Sequence, residues 1–292
     1  DDLADWQLQP EAQDGVPSWA DGWQDLWQPG EEGAHHALSD FLEAPVAHYA
    51  EGRDVPSKRY TSRLSPHLKF GEISPRQIWS AAQQRKLSAP QWSAPIDKFL
   101  AEVGWREFCY QLLDLFNDMP AKPFKEQFAG FPWGNDSNHL SAWQRGQTGY
   151  PIVDAGMREL WHTGFMHNRV RMITASFLIK HLLIDWREGE KWFWDTLVDA
   201  DYGSNSVNWQ WTAGTGVDSN MFVRIMAPLS QSEKFDAARY IREWVPELAA
   251  LQEPYIHDPD EYGARPKDYP RKIIGHKAAR ERALHAHAVV KG

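Results

Sequence analysis

The chain has 292 residues, a formal net charge of −9 at pH 7, a single cysteine and sixteen tryptophans. A chain of this length can form one large domain or two small ones with an ample core. The lone Cys109 excludes an internal disulfide, a thiolate zinc site and a cysteine-ligated iron–sulfur cluster, and it suits the reducing cytoplasm, where we expect the protein. No run approaches the roughly 18–20 apolar residues of a membrane span.

The negative charge is concentrated at one end of the chain. Residues 1–54 carry a net charge of −12, whereas the remainder carries +3 and residues 265–292 alone carry +6. A basic face for nucleic acid therefore remains compatible with the composition. The basic C-terminal run is either a solvated surface or a DNA contact.

Taken in chain order, the predicted elements are helical. Residues 1–33 are rich in Asp, Trp, Pro and Gly without sustained periodicity, which predicts a linker. Apolar residues then recur at three- and four-residue spacing over residues 98–118, which predicts a helix. A second helix is predicted from an N-cap at Asp154 to a break at Gly164. Three more are predicted, at residues 167–183, 187–198 and 233–244. Short Val/Ile runs do not alternate with these helices, so we expect an all-α fold.

Several kinds of catalytic or metal site lack their sequence patterns. The twelve histidines do not recur at a ligand spacing on any predicted helix, so no metal site is expected. A Gly-x-Ser-x-Gly elbow and a Walker loop are also absent from the sequence, which argues against a serine hydrolase and a P-loop nucleotidase.

The chemistry is concentrated in residues 199–211. Asp199 and Asp201 are followed by Asn205, and these side chains can bind a polyhydroxylated, nitrogen-rich ligand. Trp209 and Trp211 offer surfaces that can stack on a base or pass an electron. The segment has too little apolar periodicity for an ordinary core helix.

Further motifs follow one another along residues 45–248. They are Thr-Ser-Arg-Leu-Ser-Pro at 61–66, Phe-Gly-Glu-Ile-Ser-Pro at 70–75, Trp-Arg-Glu-Phe at 105–108, Thr-Gly-Tyr-Pro at 148–151, His-Asn-Arg at 167–169, Asp-Trp-Arg-Glu-Gly-Glu at 185–190 and Trp-Gln-Trp at 209–211. In this order they resemble the photolyase and cryptochrome family, most closely the catalytic half of class I cyclobutane pyrimidine dimer photolyases.

The resemblance implies a helical FAD-binding domain without the α/β antenna domain that precedes it in relatives. Residues 1–44 would be an acidic, Trp- and Pro-rich interdomain connector, and residues 45–292 would be the catalytic domain. The resemblance does not identify an antenna pigment.

The resemblance also implies an FAD site, with Arg171 and Asp199 as an ion pair beside the flavin ring and Asn205 facing flavin N5. A purely structural buried ion pair is the alternative for the first two residues. The expected FAD-binding residues are Tyr49, Thr61, Ser62, Arg63, Leu64, Ser65, Arg171, Asp199, Ala200, Asp201 and Asn205.

A DNA-binding face is implied next to this site. Glu102 would hydrogen-bond a thymine edge, and Trp105 and Trp211 would stack on the flipped dimer. Arg53 and Arg169 would meet phosphates. The expected DNA-binding residues are Arg53, Glu102, Trp105, Asn168, Arg169, Met172, Trp211 and Gln231. The six-four photolyases place two catalytic histidines around this region, which His167 followed by Met172 does not match.

The implied activity is that of a deoxyribodipyrimidine photolyase, a carbon–carbon lyase that repairs dimers in DNA with light by electron transfer from reduced FAD. Glu102 and Asn205 would serve the reaction, and Trp209, Trp186 and Trp133 would relay electrons to the surface. We expect a monomer. The alternatives are a cryptochrome-like blue-light photoreceptor that binds FAD without repair and a Trp-rich helical interaction module without a cofactor.

Overall fold

The computed structural model describes residues 22–220 and 222–291, and this part of the chain is built from helices. The first seven α-helices are α1 (Glu31–Glu43), α2 (Tyr49–Gly52), α3 (Ser65–Phe70), α4 (Pro75–Ser88), α5 (Ser93–Leu115), α6 (Ser137–Gln144) and α7 (Pro151–Thr163). The remaining ones are α8 (Asn168–Ser176), α9 (Trp186–Thr196), α10 (Tyr202–Ala213), α11 (Pro228–Lys234), α12 (Ala238–Trp244) and α13 (His276–Lys291). Across the described ranges the only β pairing is an isolated parallel bridge between Gly134 and Ile184. The predicted all-α fold is confirmed.

Shorter helical turns connect these elements. A π-helical turn, Phe177–His181, directly continues α8. The 3-10 turns are Trp23–Asp25, Pro45–His48, Pro90–Trp92, Glu126–Phe128, Pro246–Leu248 and Tyr255–His257. Among the described residues, no helix is both long and apolar enough to cross a bilayer.

Two predicted helix boundaries are wrong. Helix α7 begins at Pro151 behind the extended residue Tyr150, so Asp154 lies inside the first turn and is not the N-cap. The single helix predicted for residues 233–244 is two helices, because Asp236 adopts a left-handed backbone with φ of 49° between α11 and α12. An aspartate adopts this conformation more readily than most residues do. The break therefore does not interrupt the apolar spacing that predicted a single helix.

Residues 199–211 also depart from the expectation, since residues 202–213 form α10 in the core. This helix lies close to α5. A Cβ atom added at Gly203 would be only 3.3 Å from the backbone of Cys109, so a glycine allows the two helices to approach. Its buried side chains include polar ones: the Gln210 amide donates to the carbonyl oxygens of Met119 (2.6 Å) and Lys122 (2.8 Å). Hydrogen-bonded polar groups replace apolar periodicity on this buried face.

The N-terminal helices add a second, smaller core. Leu38, Phe41 and Leu42 of α1 pack with Tyr49 and Phe99 in this cluster. The part of the expected connector from residue 31 onward thus packs against the helical body, and residues 1–21 of the expected linker lie outside the described residues. The larger cluster fills the space among α7, α8, α9, α10 and α12.

Asp154 is a buried hydrogen-bonding centre of the larger core. Its carboxylate accepts from the Thr148 backbone (2.7 Å) and hydroxyl (2.6 Å), the Gly149 backbone (3.0 Å) and the Tyr269 hydroxyl (2.6 Å). Burial raises the pKa of Asp154, and the hydrogen bonds from Thr148 and Tyr269 oppose that rise. The side chain therefore ties α7 to the segment before it and to the C-terminal region.

We expect Asp154→Ala to lower the free energy of unfolding by about 3–5 kcal/mol, because it leaves several buried donors without an acceptor. Tyr269→Phe removes one of these hydrogen bonds and should cost about 1 kcal/mol. Urea unfolding followed by circular dichroism measures both. Equal stabilities for the two variants would contradict this role for Asp154.

Candidate functional site

Three separate elements meet at the carboxylate of Asp199. The residue lies in the turn between α9 and α10, and its Oδ2 is 2.8 Å from Nη2 of Arg171 on α8. The same oxygen accepts a hydrogen bond of 2.6 Å from the hydroxyl of Ser65, the first residue of α3. The other side of the guanidinium is fixed, since Nε of Arg171 donates to the Met166 carbonyl oxygen at 2.7 Å. The expected Arg171–Asp199 pair thus forms, and Ser65 joins it.

One oxygen of this carboxylate is left open. Asp199 is 7% exposed, and its buried Oδ1 has no hydrogen-bond partner among the residues that the structure describes. A buried carboxylate oxygen without a donor is costly, so such an atom fits a ligand that brings an N–H or O–H group. The neighbouring Ala200 and Asp201 are also buried, and Asp201 caps α10 by accepting from the Ser204 backbone at 2.7 Å.

Asn205 is held one turn into α10 by a residue that the sequence analysis missed. Its amide nitrogen lies 3.0 Å from the carbonyl oxygen of Glu190 and 3.1 Å from Oε1 of the same residue. Ser206 donates to that Oε1 at 3.2 Å. Burial raises the pKa of Glu190, and these two hydrogen bonds oppose the rise. Since the amide donates to Glu190, the carbonyl oxygen of Asn205 is the atom left for a ligand. Glu190 ends the motif at residues 185–190, which was the available signal.

The expected FAD-binding residues 61–65 lead into the start of α3. Leu64 is buried, and its backbone donates to the Ser62 hydroxyl at 3.4 Å, while Thr61 is partly buried. Arg63 adopts a left-handed backbone with φ of 53°, and its guanidinium lies over the rings of Trp27 (4.4 Å) and Phe165 (5.1 Å).

The Arg171 guanidinium also lies over the ring of Phe165, 5.2 Å from the ring centre. Stacking of this kind orients guanidinium groups without neutralising them. Tyr49 is buried against Phe41 and Phe99, and burial raises its pKa to about 12.

A chain of ion pairs connects α2, α5 and α8. Arg53, at the end of α2, forms a close ion pair with Glu102 of α5. The next residue, Asp54, lies 2.8 Å from Arg169 of α8 and 3.9 Å from Nε of Arg53. The structure therefore brings three of the predicted DNA-binding residues together, and the bridging Asp54 was not predicted.

The other predicted DNA-binding residues lie on α5, α8, α10 and α11. Trp105 is 59% exposed and meets Phe108 edge to face at 5.7 Å. Trp211 is partly buried on α10, which packs against α5, and no ring contact joins the two indoles within the described ranges. Asn168 is exposed, Met172 accepts from Arg169 at 3.6 Å, and Gln231 is partly buried.

Of the three expected relay tryptophans, Trp209 and Trp186 are buried and Trp133 is partly buried. Trp209 packs directly on α9, where an added Cβ at Gly189 would lie 2.1 Å from its ring. Trp186, one turn earlier in α9, is 1% exposed. Trp133 is partly buried on a loop that is fixed to the segment just before α9, since the Gly134 backbone donates to the Leu183 carbonyl at 2.6 Å.

Comparison with known proteins gives a consistent result. A family model described as the FAD binding domain of DNA photolyase matches residues 99–288. The chain is 52% identical to a deoxyribodipyrimidine photo-lyase of Agrobacterium fabrum over 99% of its own length and 61% of the relative's. It therefore spans about three fifths of that relative.

Two solved structures are similar in fold. A bacterial class III photolyase from Agrobacterium tumefaciens superposes with a TM-score of 0.92 at 51% identity, over 100% of this chain and 61% of the other. A cryptochrome from Synechocystis superposes with a TM-score of 0.82 at 34% identity, over 89% and 56%. The first of these is class III, whereas the sequence motifs resemble those of class I enzymes.

Asp199→Ala should lower the affinity for FAD by at least about tenfold, because it removes a charged acceptor and leaves Arg171 without its carboxylate. The ratio of flavin to protein absorbance after purification measures this loss. Asp118→Ala removes an exposed carboxylate beyond the end of α5 and should keep the wild-type ratio. A full flavin complement in Asp199→Ala would contradict the assignment.

Proposed function

The chain belongs to the DNA photolyase family through its FAD-binding domain, and we propose that it repairs cyclobutane pyrimidine dimers in DNA with light. The family match confirms the predicted helical fold and the expected FAD cofactor. Since the chain spans about three fifths of its relatives, the full activity and its DNA substrate are proposals for this chain. The observation that carries them is the open, buried oxygen of Asp199 beside Arg171.

In this proposal the Asp199 cluster holds the flavin ring. Oδ1 of Asp199 would accept a hydrogen bond from the cofactor, and Arg171 would balance the negative charge of its reduced form in a dry pocket. The carbonyl oxygen of Asn205 would face the ring, with Glu190 fixing the amide. Reduced FAD, when bound, supplies the light-excited electron that opens the dimer. The protein would hold the dimer next to the cofactor.

The dimer would bind at the rim formed by α5, α8 and α10. A dimer is poorly paired, so flipping it out of the duplex costs only a few kcal/mol. The exposed ring of Trp105 is available for stacking, and Glu102, one turn earlier on α5, offers acceptor oxygens to a thymine edge. Trp211, Asn168, Met172 and Gln231 would complete the pocket. We further infer a cytoplasmic monomer, in keeping with a chain that has one cysteine.

A cryptochrome-like photoreceptor is the second candidate, because the Synechocystis cryptochrome shares this fold. The exposed indole beside an Arg–Glu pair favours repair, since such a rim suits a flipped base. Repair and signalling differ in one product, the restored pyrimidines.

Illumination of the chemically reduced protein with a dimer-containing oligonucleotide should restore the thymines, which chromatography of the DNA measures. Trp105→Ala should bind the same DNA about 5- to 150-fold more weakly, since a stacking contact is worth about 1–3 kcal/mol, with unchanged flavin content. Trp79→Ala removes a comparably exposed indole on α4 and serves as the control. Dimers that persist under light would overturn the proposed activity, and equal binding in Trp105→Ala would overturn the pocket.

The tryptophans Trp209, Trp186 and Trp133 would serve a separate purpose, carrying electrons between the cofactor pocket and the surface. The packing of Trp209 on α9, the helix that begins with Trp186, supports the proposal. The partial exposure of Trp133 suits the outermost position, because a surface radical must meet a reductant or lose its proton.

Trp186→Phe should therefore slow reduction of bound FAD under blue light by at least about tenfold, an effect of about 1.4 kcal/mol or more on the barrier. Repair after dithionite reduction should stay at the wild-type rate, because the relay is then not needed. Trp143→Phe, a buried indole that meets Trp209 edge to face, tests for a competing branch. Undiminished light-driven reduction in Trp186→Phe would show that electrons enter elsewhere.

A further inference from the structure

Asp54 lies between two arginines at the proposed DNA-binding rim. Its Oδ2 is 2.8 Å from Nη2 of Arg169, and its Oδ1 is 3.9 Å from Nε of Arg53. Arg53 in turn pairs with Glu102, the proposed acceptor for the thymine edge. One carboxylate thus connects the two arginines expected to meet DNA phosphates and, through Arg53, the residue expected to meet the lesion.

The two arginines are held firmly in this arrangement. The side chains of Arg53 and Arg169 are only 13% and 20% exposed, whereas that of Asp54 is 35% exposed. Arg169 lies 4.6 Å over the ring of Phe235, and Arg53 lies 5.4 Å over that of Tyr49. A phosphate that approaches this rim therefore meets arginines already paired with a carboxylate that is more exposed than they are.

Two carboxylates, those of Asp54 and Glu102, face the guanidinium groups of Arg53 and Arg169, so Asp54 offsets part of the positive charge of this rim. Burial lowers the pKa of the neighbouring His167 to about 4, so this residue is neutral at pH 7. Asp54 therefore acts against the positive charge of Arg53 and Arg169, and it repels phosphates that do not displace it. Like-charge juxtaposition of this kind is a common means of rejecting wrong partners.

We propose that Asp54 is a specificity-determining residue, which weakens binding of undamaged DNA and holds Arg53 and Arg169 in place for DNA that carries a dimer. This inference rests on the proposed function and names a residue that decides its selectivity.

The two kinds of DNA should respond differently to loss of this carboxylate. Non-specific binding depends almost entirely on phosphate charge, so removal of a rim carboxylate should strengthen it. Binding of a flipped dimer also depends on Glu102, Trp105 and the fixed positions of the arginines. Loss of the bridge frees Arg169 and should offset the electrostatic gain for this DNA.

The test compares Asp54→Asn with Asp260→Asn on the full FAD-loaded protein. Asp260 pairs with Arg265 at 3.4 Å, and the exposed fractions of that pair, 30% and 21%, closely match those of Asp54 and Arg169. Both variants change the net charge equally. Dissociation constants are measured in the dark for one duplex with and without a single thymine dimer, over a series of salt concentrations.

Asp54→Asn should bind undamaged duplex about three- to tenfold more tightly and dimer duplex no more tightly, with a salt slope for undamaged DNA steeper by about one ion. The preference for dimer DNA then falls by about the same factor. Asp260→Asn should keep the wild-type preference. Asp54→Glu retains the charge and should bind undamaged DNA as the wild type does, which separates repulsion from a general loss of structure.

A wild-type preference for dimer DNA that persists undiminished in Asp54→Asn would overturn this inference alone. The same holds if Asp260→Asn loses the preference equally. A wild-type protein without any preference for dimer DNA would overturn the proposed function and this inference together. Flavin content confirms that each variant is folded, and Asp54→Ala provides a second neutral variant if Asp54→Asn loads poorly.

Discussion

The arrangement of the site depends on one partly buried ion pair, Arg171 with Asp199. The Asp199 side chain is only 3% exposed, so removal of Arg171 would leave a buried carboxylate without compensation, which typically costs about 3–5 kcal/mol. The pair joins the beginning of α8 to the turn before α10, and Ser65 adds the beginning of α3 to the same oxygen. Three chain segments far apart in sequence are thereby fixed relative to one another around a single carboxylate.

The same constraint relates the proposed cofactor side to the proposed DNA side. Helix α8 carries Arg171 toward Asp199 and, two residues earlier, Arg169 toward Asp54. Helix α10 begins at the Asp201 cap and presents Asn205 next to Glu190, then Trp209 against α9. A displacement of α8 relative to α10 would disturb the cofactor pocket and the rim together, so the Arg171–Asp199 pair matters to both.

Much of this could be predicted from the sequence, and the failures have physical reasons. Periodic apolar residues identified α5, α8 and α9, and the family resemblance implied the Arg171–Asp199 pair. Helix α10 was missed as a core helix because Gln210 and Asn205 fill its buried side with hydrogen bonds, and periodicity detects only apolar faces.

Other misses depend on contacts between distant parts of the chain. Asp154 has the residue type of an N-cap, yet its partners include Tyr269, more than a hundred residues away. The roles of Asp54 and Glu190 depend on their contacts with Arg169 and Asn205, which only the folded structure brings next to them. The short segment around Asp236 breaks a helix through one left-handed residue, for which apolar spacing gives no signal.

The most direct test of the central claim is a high-resolution crystal structure of the FAD-bound protein. The account predicts that Oδ1 of Asp199 accepts a hydrogen bond from the cofactor, with the Arg171–Asp199 distance still close to 2.8 Å. A flavin bound elsewhere, or an Asp199 that turns away from Arg171 while Oδ1 stays without a donor, would contradict it.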